Sequence, residues 1–265
     1  MTRKMFAFSS MVAAFFSFLM FTSYTPDEES SLTAEEATPA ELLPQVIHSV
    51  PLDQQFDFAG ELLPMDNFDV VERLDRELSV NAYWHSNMIW VIKSAYRYFP
   101  TIEKILAEQG VPEDFKYLAV AESALRHETS PAGASSFWQF RKAAAKEMGL
   151  TVNSEVDERY HLEKATEAAA NYLKKNYEKF GSWTLSAAAY NMGPSGLGRA
   201  VEKQKMNNYY DLNLNDETMR YVFRIVALKE IMSNPRRYGF YLQDEEKYQP
   251  LTDFKTLEVD SAIAS

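Results

Sequence analysis

Across residues 67–233 the apolar side chains recur at spacings of three and four, and alternating strand patterns are nearly absent. A 3.6-residue period gathers such side chains onto one stripe of a helix, whereas a half-buried sheet needs a period of two. The chain is therefore confined to a mainly α fold. Its punctuation divides the helices. Residues 84–99 read as one helix, and Pro100 opens the next, which ends at Gly110. Pro112 begins a third helix that runs to about Leu125. Residues 136–148 form a helix stopped by Gly149, and residues 163–180 form a long alanine-rich one closed by Gly181. Residues 183–192 form a short buried helix ended by Gly193-Pro194. Residues 216–233 form the last, with Asp216 as its N-cap and Pro235 beyond its end. The turn residues Ser130-Pro131-Ala132-Gly133-Ala134 separate the third helix from the fourth.

The N-terminus is of another kind. Arg3 and Lys4 precede an apolar run over residues 5–21, broken only by Ser9, Ser10 and Ser17. Basic residues before an apolar stretch are the signature of an export signal. At about 17 residues the run is also just long enough to cross a membrane once. Residues 1–25 thus read as a cleaved signal peptide or a retained membrane anchor, and both readings put the remainder outside the inner membrane. Residues 26–64 carry Glu28, Glu29, Glu35 and Glu36 with Pro39, Pro44 and Pro51 and show no sustained period. They read as an acidic, extended linker. Residues 65–110 read as an N-terminal helical extension rich in aromatic residues such as Trp84, Trp90, Tyr96 and Phe99. Residues 242–265 read as a loose tail, with weak extended character at residues 255–259.

Composition removes several function classes. The 265 residues include no cysteine, which excludes disulfide scaffolds, thiolate metal sites and cysteine nucleophiles. Lysine plus arginine number 27 against 38 acidic residues, and a net charge of −11 opposes nucleic-acid binding. His48, His85, His127 and His161 are scattered without ligand spacing, so no metal and no cofactor is expected.

One residue breaks the helical pattern. Phe115, Leu118, Glu122 and Leu125 fall at i, i+3, i+7 and i+10, on one face of the third helix. Glu122 therefore occupies a place that the period assigns to the buried stripe. Burial disfavours a carboxylate, and so does the C-terminal end of a helix dipole. Both favour a proton donor at neutral pH, which acid catalysis on a glycosidic oxygen requires. On this feature alone, the favoured reading of Glu122 is a stripe-edge glutamate, solvated or paired with Arg126.

The fragments around it narrow the choice. Glu122-Ser123 is followed by Ser130-Pro131-Ala132-Gly133-Ala134 and by Phe137-Trp138-Gln139-Phe140. Downstream stand Ala189-Tyr190-Asn191-Met192-Gly193 and Glu217-Thr218-Met219-Arg220-Tyr221-Val222. Their order resembles the catalytic domain of the soluble lytic transglycosylases, a goose-lysozyme-like family that cleaves peptidoglycan, over about half the chain. The resemblance implies a lysozyme-like α-helical catalytic domain over residues 111–241. It makes Glu122 the sole catalytic acid and base, and peptidoglycan glycan strands the partner. It implies that Ser130 lines the catalytic pocket, that Gln139, Tyr190 and Asn191 contact the saccharide, and that the Tyr221 hydroxyl faces the catalytic carboxylate. Glu217 matches the start of the tyrosine motif. Three departures touch loop geometry: Ser130 follows Glu122 by eight positions where nine are usual, Ser136 replaces a glycine, and His161-Leu162 replaces an aspartate-proline pair.

Glycoside hydrolases ordinarily use two carboxylates, and here the pattern singles out Glu122. The family's chemistry needs one, because the muramyl C6 hydroxyl attacks its own C1 and leaves a 1,6-anhydro sugar. The competing readings are a hydrolytic muramidase or chitinase on the same fold, and a non-catalytic glycan-binding module. A second, water-activating carboxylate would favour the first, and loss of Glu122 the second. Trp138 and Phe140 read as core aromatics, and Asn191 by itself reads as a helix-ending residue.

Overall fold

The computed structural model describes residues 48–251. The N-terminal apolar run, most of the acidic segment and residues 255–259 lie outside them. Eight α-helices are described: α1 (Phe68–Ala82), α2 (His85–Glu108), α3 (Lys116–Ser123), α4 (Lys142–Glu147), α5 (Leu162–Phe180), α6 (Trp183–Met192), α7 (Pro194–Gln204) and α8 (Asp216–Ser233). The mainly α expectation holds. A two-stranded antiparallel hairpin, β1 (Asp57–Phe58) and β2 (Glu61–Leu62), precedes α1, with Asp57 opposite Leu62.

Helix α8 is the central element. Val222, Phe223, Ile225, Val226 and Ile231 are fully buried on it, and α1, α3 and α6 pack around it. Helix α5 lies against α2 and α6. Its alanines at 165, 168, 169 and 170 are buried. Small side chains of this kind let helix axes approach closely. One hydrophobic core runs from Val50 to Phe240.

The expected linker is corrected over residues 50–63. Phe56, Phe58 and Leu63 are buried, and the Phe58 ring meets Phe115 edge-on at 5.0 Å. These few apolar residues dock by an irregular path, so no period betrays them. Ion pairs fasten the same stretch. Lys229 Nζ reaches Asp57 Oδ1 at 2.9 Å and Asp114 Oδ2 at 2.7 Å, and Arg237 pairs with Asp53.

Four helix expectations are also corrected. Helix α2 runs unbroken through Pro100. The proline removes one donor, yet the helix, which packs on α3 and α5, continues past it. The helix expected over residues 136–148 begins only at Lys142, because residues 129–140 pair with one another as isolated bridges. The N-cap of α8 is Asn215, whose side chain accepts from Thr218 N at 3.0 Å, and not Asp216. Gly193-Pro194 ends α6 as expected, but Pro194 also opens α7, which the punctuation did not reveal. The described part of the tail lies on α2: Tyr248 N donates to Lys93 O at 3.4 Å, and Arg97 lies over the Tyr248 ring at 4.8 Å.

Candidate active site

Helix α3 delivers Glu122. Leu118 on it and Phe115 at its start are buried, as the spacing requires, and so is Leu125 just beyond its end, while Glu122 keeps partial exposure at the helix end. The helix stops abruptly because Ala124 and Leu125 both adopt left-handed backbone angles (φ 50° and 58°). Such angles are costly for residues with a Cβ and persist where the surroundings enforce them. Leu125 is enforced by complete burial. Ser123 ties the helix end to the following loop, its hydroxyl donating to Phe137 O at 3.0 Å.

That loop is tightly folded. Ser130 accepts from Ala134 N on its hydroxyl at 3.1 Å, and its own N–H donates to Ala134 O at 2.8 Å. Gly133, at φ 77°, makes the turn that a side chain would strain. Gln139, at φ 45°, folds its amide back, and Nε2 donates to Ser136 O at 2.9 Å and Glu128 O at 3.1 Å. Ser136 stands at φ 63°, in the left-handed region that favours glycine. Its hydroxyl bonds His127 Nδ1 at 3.0 Å, and it is wholly buried, which holds the residue in this strained state. Trp138 belongs to the core, with Nε1 donating to Thr166 Oγ1 at 3.0 Å.

Arg159 holds the loop from behind. Its Nη1 donates to Gly133 O at 2.8 Å and to Phe140 O at 2.9 Å, and Asp157 accepts from its other nitrogens. The guanidinium pulls the Asp157 carboxyl below the usual aspartate range. This role had no periodic signal in the sequence.

Helices α6 and α8 complete the site. The Tyr221 hydroxyl donates to Glu122 Oε1. Arg126 faces elsewhere: Nη2 donates to Asn87 Oδ1 at 2.8 Å, and the guanidinium lies 4.7 Å from the Trp90 ring centre. The stripe-edge pairing of Glu122 with Arg126 is thereby corrected. Tyr190 directs its hydroxyl to Trp138 O at 2.7 Å, and its ring packs against Phe140 and Tyr172. Asn191 is held from two sides, its Oδ1 accepting from Thr218 Oγ1 at 2.6 Å and its Nδ2 donating to Glu217 Oε1 at 3.1 Å. The six expected site residues thus fall on α3, the loop after it, α6 and α8. Direct contact within the set joins Tyr221 to Glu122, and Tyr190 reaches the loop beside Gln139.

The start of α6 is fixed by a residue that sequence reasoning missed. Glu61 in the hairpin accepts from Trp183 N at 2.5 Å, Thr184 N at 2.9 Å, Thr184 Oγ1 at 2.8 Å and Ser182 Oγ at 2.9 Å. A carboxylate there meets unpaired amide donors and the positive end of the helix dipole. Glu61 therefore locks the helix that carries Tyr190 and Asn191.

The electrostatics suit proton transfer. Desolvation pushes the Glu122 carboxyl from 4.5 up to about 7. The Tyr221 hydrogen bond opposes this by favouring the ionised form; the Glu217 charge raises the proton affinity, and the Arg224 charge lowers it. Burial drives Tyr190 and Tyr221 well above the ordinary tyrosine range, with the Glu122 charge adding to it, so both remain neutral donors. A carboxyl that titrates near neutrality can give up a proton and take one back. Among the described residues, no group of three histidine or acidic side chains is placed to hold a metal ion.

Comparison with known proteins gives three findings. Residues 100–213 match the family model described as the transglycosylase SLT domain. Two relatives, both named membrane-bound lytic murein transglycosylase D, come from Escherichia coli K12 and from Escherichia coli O6:H1. Each is 29% identical over 203 residues, which is 73% of this chain and 44% of the relative. The chain therefore spans less than half the length of these curated relatives. A solved structure of an inactive mutant of the lytic transglycosylase Slt from Pseudomonas aeruginosa matches with a TM-score of 0.43 and 16% identity, covering 70% of this chain and 36% of that one.

Proposed function

We propose that the protein is a peptidoglycan lytic transglycosylase with Glu122 as its single acid and base, a reading supported by the match of residues 100–213 to the transglycosylase SLT domain model. The observation that carries the proposal is the Glu122 carboxyl, poised near neutrality at a partly exposed helix end and held by Tyr221. Protonated Glu122 donates to the glycosidic oxygen between N-acetylmuramic acid and N-acetylglucosamine, and the C1–O bond breaks. The muramyl 2-acetamido oxygen stabilises the cationic C1. Glu122, now ionised, takes the proton of the C6 hydroxyl, and O6 closes onto C1. The product is 1,6-anhydro-N-acetylmuramic acid, no water is consumed, and Glu122 ends protonated again. The intramolecular attack gains from proximity without a second protein carboxylate. The Ser130 loop, Gln139, Tyr190 and Asn191 form the walls that orient the saccharide in this reading.

Hydrolysis is the second reading, and Glu217 is the observation that favours it. This exposed carboxylate acts electrostatically on Glu122 and is held by Asn191. Mass spectrometry of muropeptides released from purified sacculi in oxygen-18 water decides between the two. Anhydro-muramyl ends without label are expected; labelled reducing ends would establish hydrolysis. Glu122→Gln should lose about 10²- to 10⁴-fold in turnover, the range of acid–base assistance. Retention of more than about a tenth of the activity would remove Glu122 from its role.

An exported enzyme facing the periplasm accords with the basic-then-apolar N-terminus and with relatives named membrane-bound. Residues 1–25, with Arg3 and Lys4 before the apolar run, are the proposed signal or anchor. A C-terminal reporter active only outside the cytoplasm should give signal. Retention in membranes after a salt wash would identify an anchor.

A further inference from the structure

Helix α1 carries a buried acid that the reaction does not use. Glu77 is 1% exposed, on the face of α1 that packs on α8. Its Oε1 accepts from Arg220 Nε at 2.6 Å, and its Oε2 lies 3.7 Å from Arg224 Nε. These arginines are one helical turn apart on α8, on either side of Tyr221 in sequence. A buried carboxylate without partners would be strongly disfavoured, so the three groups stand as a unit. The region that supplies Glu77 lies N-terminal to the segment matched by the family model.

The unit sits close to the catalytic carboxyl. Tyr221, between the two arginines, donates to Glu122, and the Arg224 charge acts on both Glu122 and Tyr221. The other groups facing Glu122 are Tyr190 from α6 and Glu217 from the first turn of α8. Around the unit itself stand Arg73, paired with Asp69 on α1, and Tyr209, whose hydroxyl donates to Thr218 O at 2.7 Å. Glu77, Arg220 and Arg224 together carry one net positive charge. Without Glu77 they would carry two, and Arg224 would lose the acid that fixes its direction.

We infer that Glu77 is a positioning residue for the proposed reaction: it binds Arg220 and Arg224 to α1 and sets the positive charge that reaches Glu122 through α8. The inference rests on the transglycosylase reading for its consequence in turnover. Its physical content is a charge linkage that can be read without turnover. More positive charge near Glu122 favours the carboxylate, so fewer molecules would hold the acid ready at neutral pH. Removing Arg224 has the opposite sign. Removing both restores the original sum.

The test is a carbon-13 NMR pH titration of the intact protein with labelled glutamate, the Glu122 signal being the one missing in Glu122→Gln. Glu77→Gln should lower the Glu122 midpoint, because the positive charge it leaves unbalanced on Arg220 and Arg224 favours the carboxylate. The basic limb of the pH–rate profile on sacculi should move with it. Arg224→Gln should raise the midpoint. Glu77→Gln with Arg224→Gln, and Glu77→Asp alone, should both lie near wild type. A folded Glu77→Gln with an unmoved midpoint overturns the inference. If that variant does not fold, Arg224→Gln decides alone, and a midpoint unchanged or lowered overturns it. Midpoints that move as stated in a protein that releases no muropeptides would instead sink the transglycosylase reading and leave the charge linkage standing.

Discussion

Replacing Glu122 by glutamine should stabilise the protein, and only at the higher end of the pH range. The carboxyl titrates near 4.5 in an unfolded chain and at about 7 in the fold. The native state therefore binds the proton more tightly than the unfolded state does. Stability falls as pH rises between those two values, because the fold must ionise a group it holds poorly as an anion. The shift of about 2.5 pH units corresponds to about 3 kcal/mol at 1.36 kcal/mol per unit. Partial exposure of the residue reduces this, and about 2 kcal/mol is the expected cost at pH 8. Glutamine keeps the shape and an acceptor for the Tyr221 hydroxyl but never ionises. For a domain of this size, 1 kcal/mol moves Tm by about 2–4 °C. Glu122→Gln should thus melt about 4–8 °C above wild type at pH 8. At pH 4 Glu122 is protonated in the fold and mostly protonated in the unfolded chain, and the two proteins should melt nearly together. Calorimetry at the two pH values measures this. A difference that is the same at both, or a loss of stability at pH 8, would refute the argument that Glu122 is held against its preference for charge.

Three other outcomes follow from the geometry. Tyr221→Phe removes a bond that favours the ionised form, so the Glu122 midpoint should rise above about 7 while turnover falls about tenfold, less than for Glu122→Gln; carbon-13 titration and muropeptide release measure the pair. Glu61→Gln leaves the first turn of α6 without its anion and should cost about 2 kcal/mol in urea unfolding, with faster hydrogen exchange at the Trp183 and Thr184 amides. Arg159→Met frees the Gly133 and Phe140 carbonyls and should lower kcat/KM on sacculi by about tenfold or more while far-ultraviolet circular dichroism stays unchanged.

The parts legible in the sequence were those that repeat. The Phe115–Leu118–Glu122–Leu125 spacing located both the helix and its odd acid, and α6 and α8 were bounded by residues whose chemistry is local. What stayed hidden depends on distant partners. Phe56 and Phe58 carry no period, and their burial becomes evident only once Phe115 is in place. The 136–140 stretch has helix-compatible residues, yet Arg159 and Ser123 draw its carbonyls away from helical pairing. Glu61 has no flanking motif because its partners lie more than 120 residues downstream. Tyr221 in turn was found through its motif, while the hydrogen bond that explains it spans 99 residues.

The hairpin's reach has a consequence for the order of assembly. Glu61, Asp57 and Asp53 are among the first described residues to leave the ribosome, yet their partners at Trp183, Lys229 and Arg237 are among the last. Such separations slow folding, since a long loop must close before any contact rewards it. A nascent chain halted before α8 would leave Asp57 and Asp53 without Lys229 and Arg237, their ion-pair partners. It would also lack the tyrosine that holds its acid. The arrangement around Glu122 is therefore completed late, and a product truncated before α8 would hold its acid without its tyrosine.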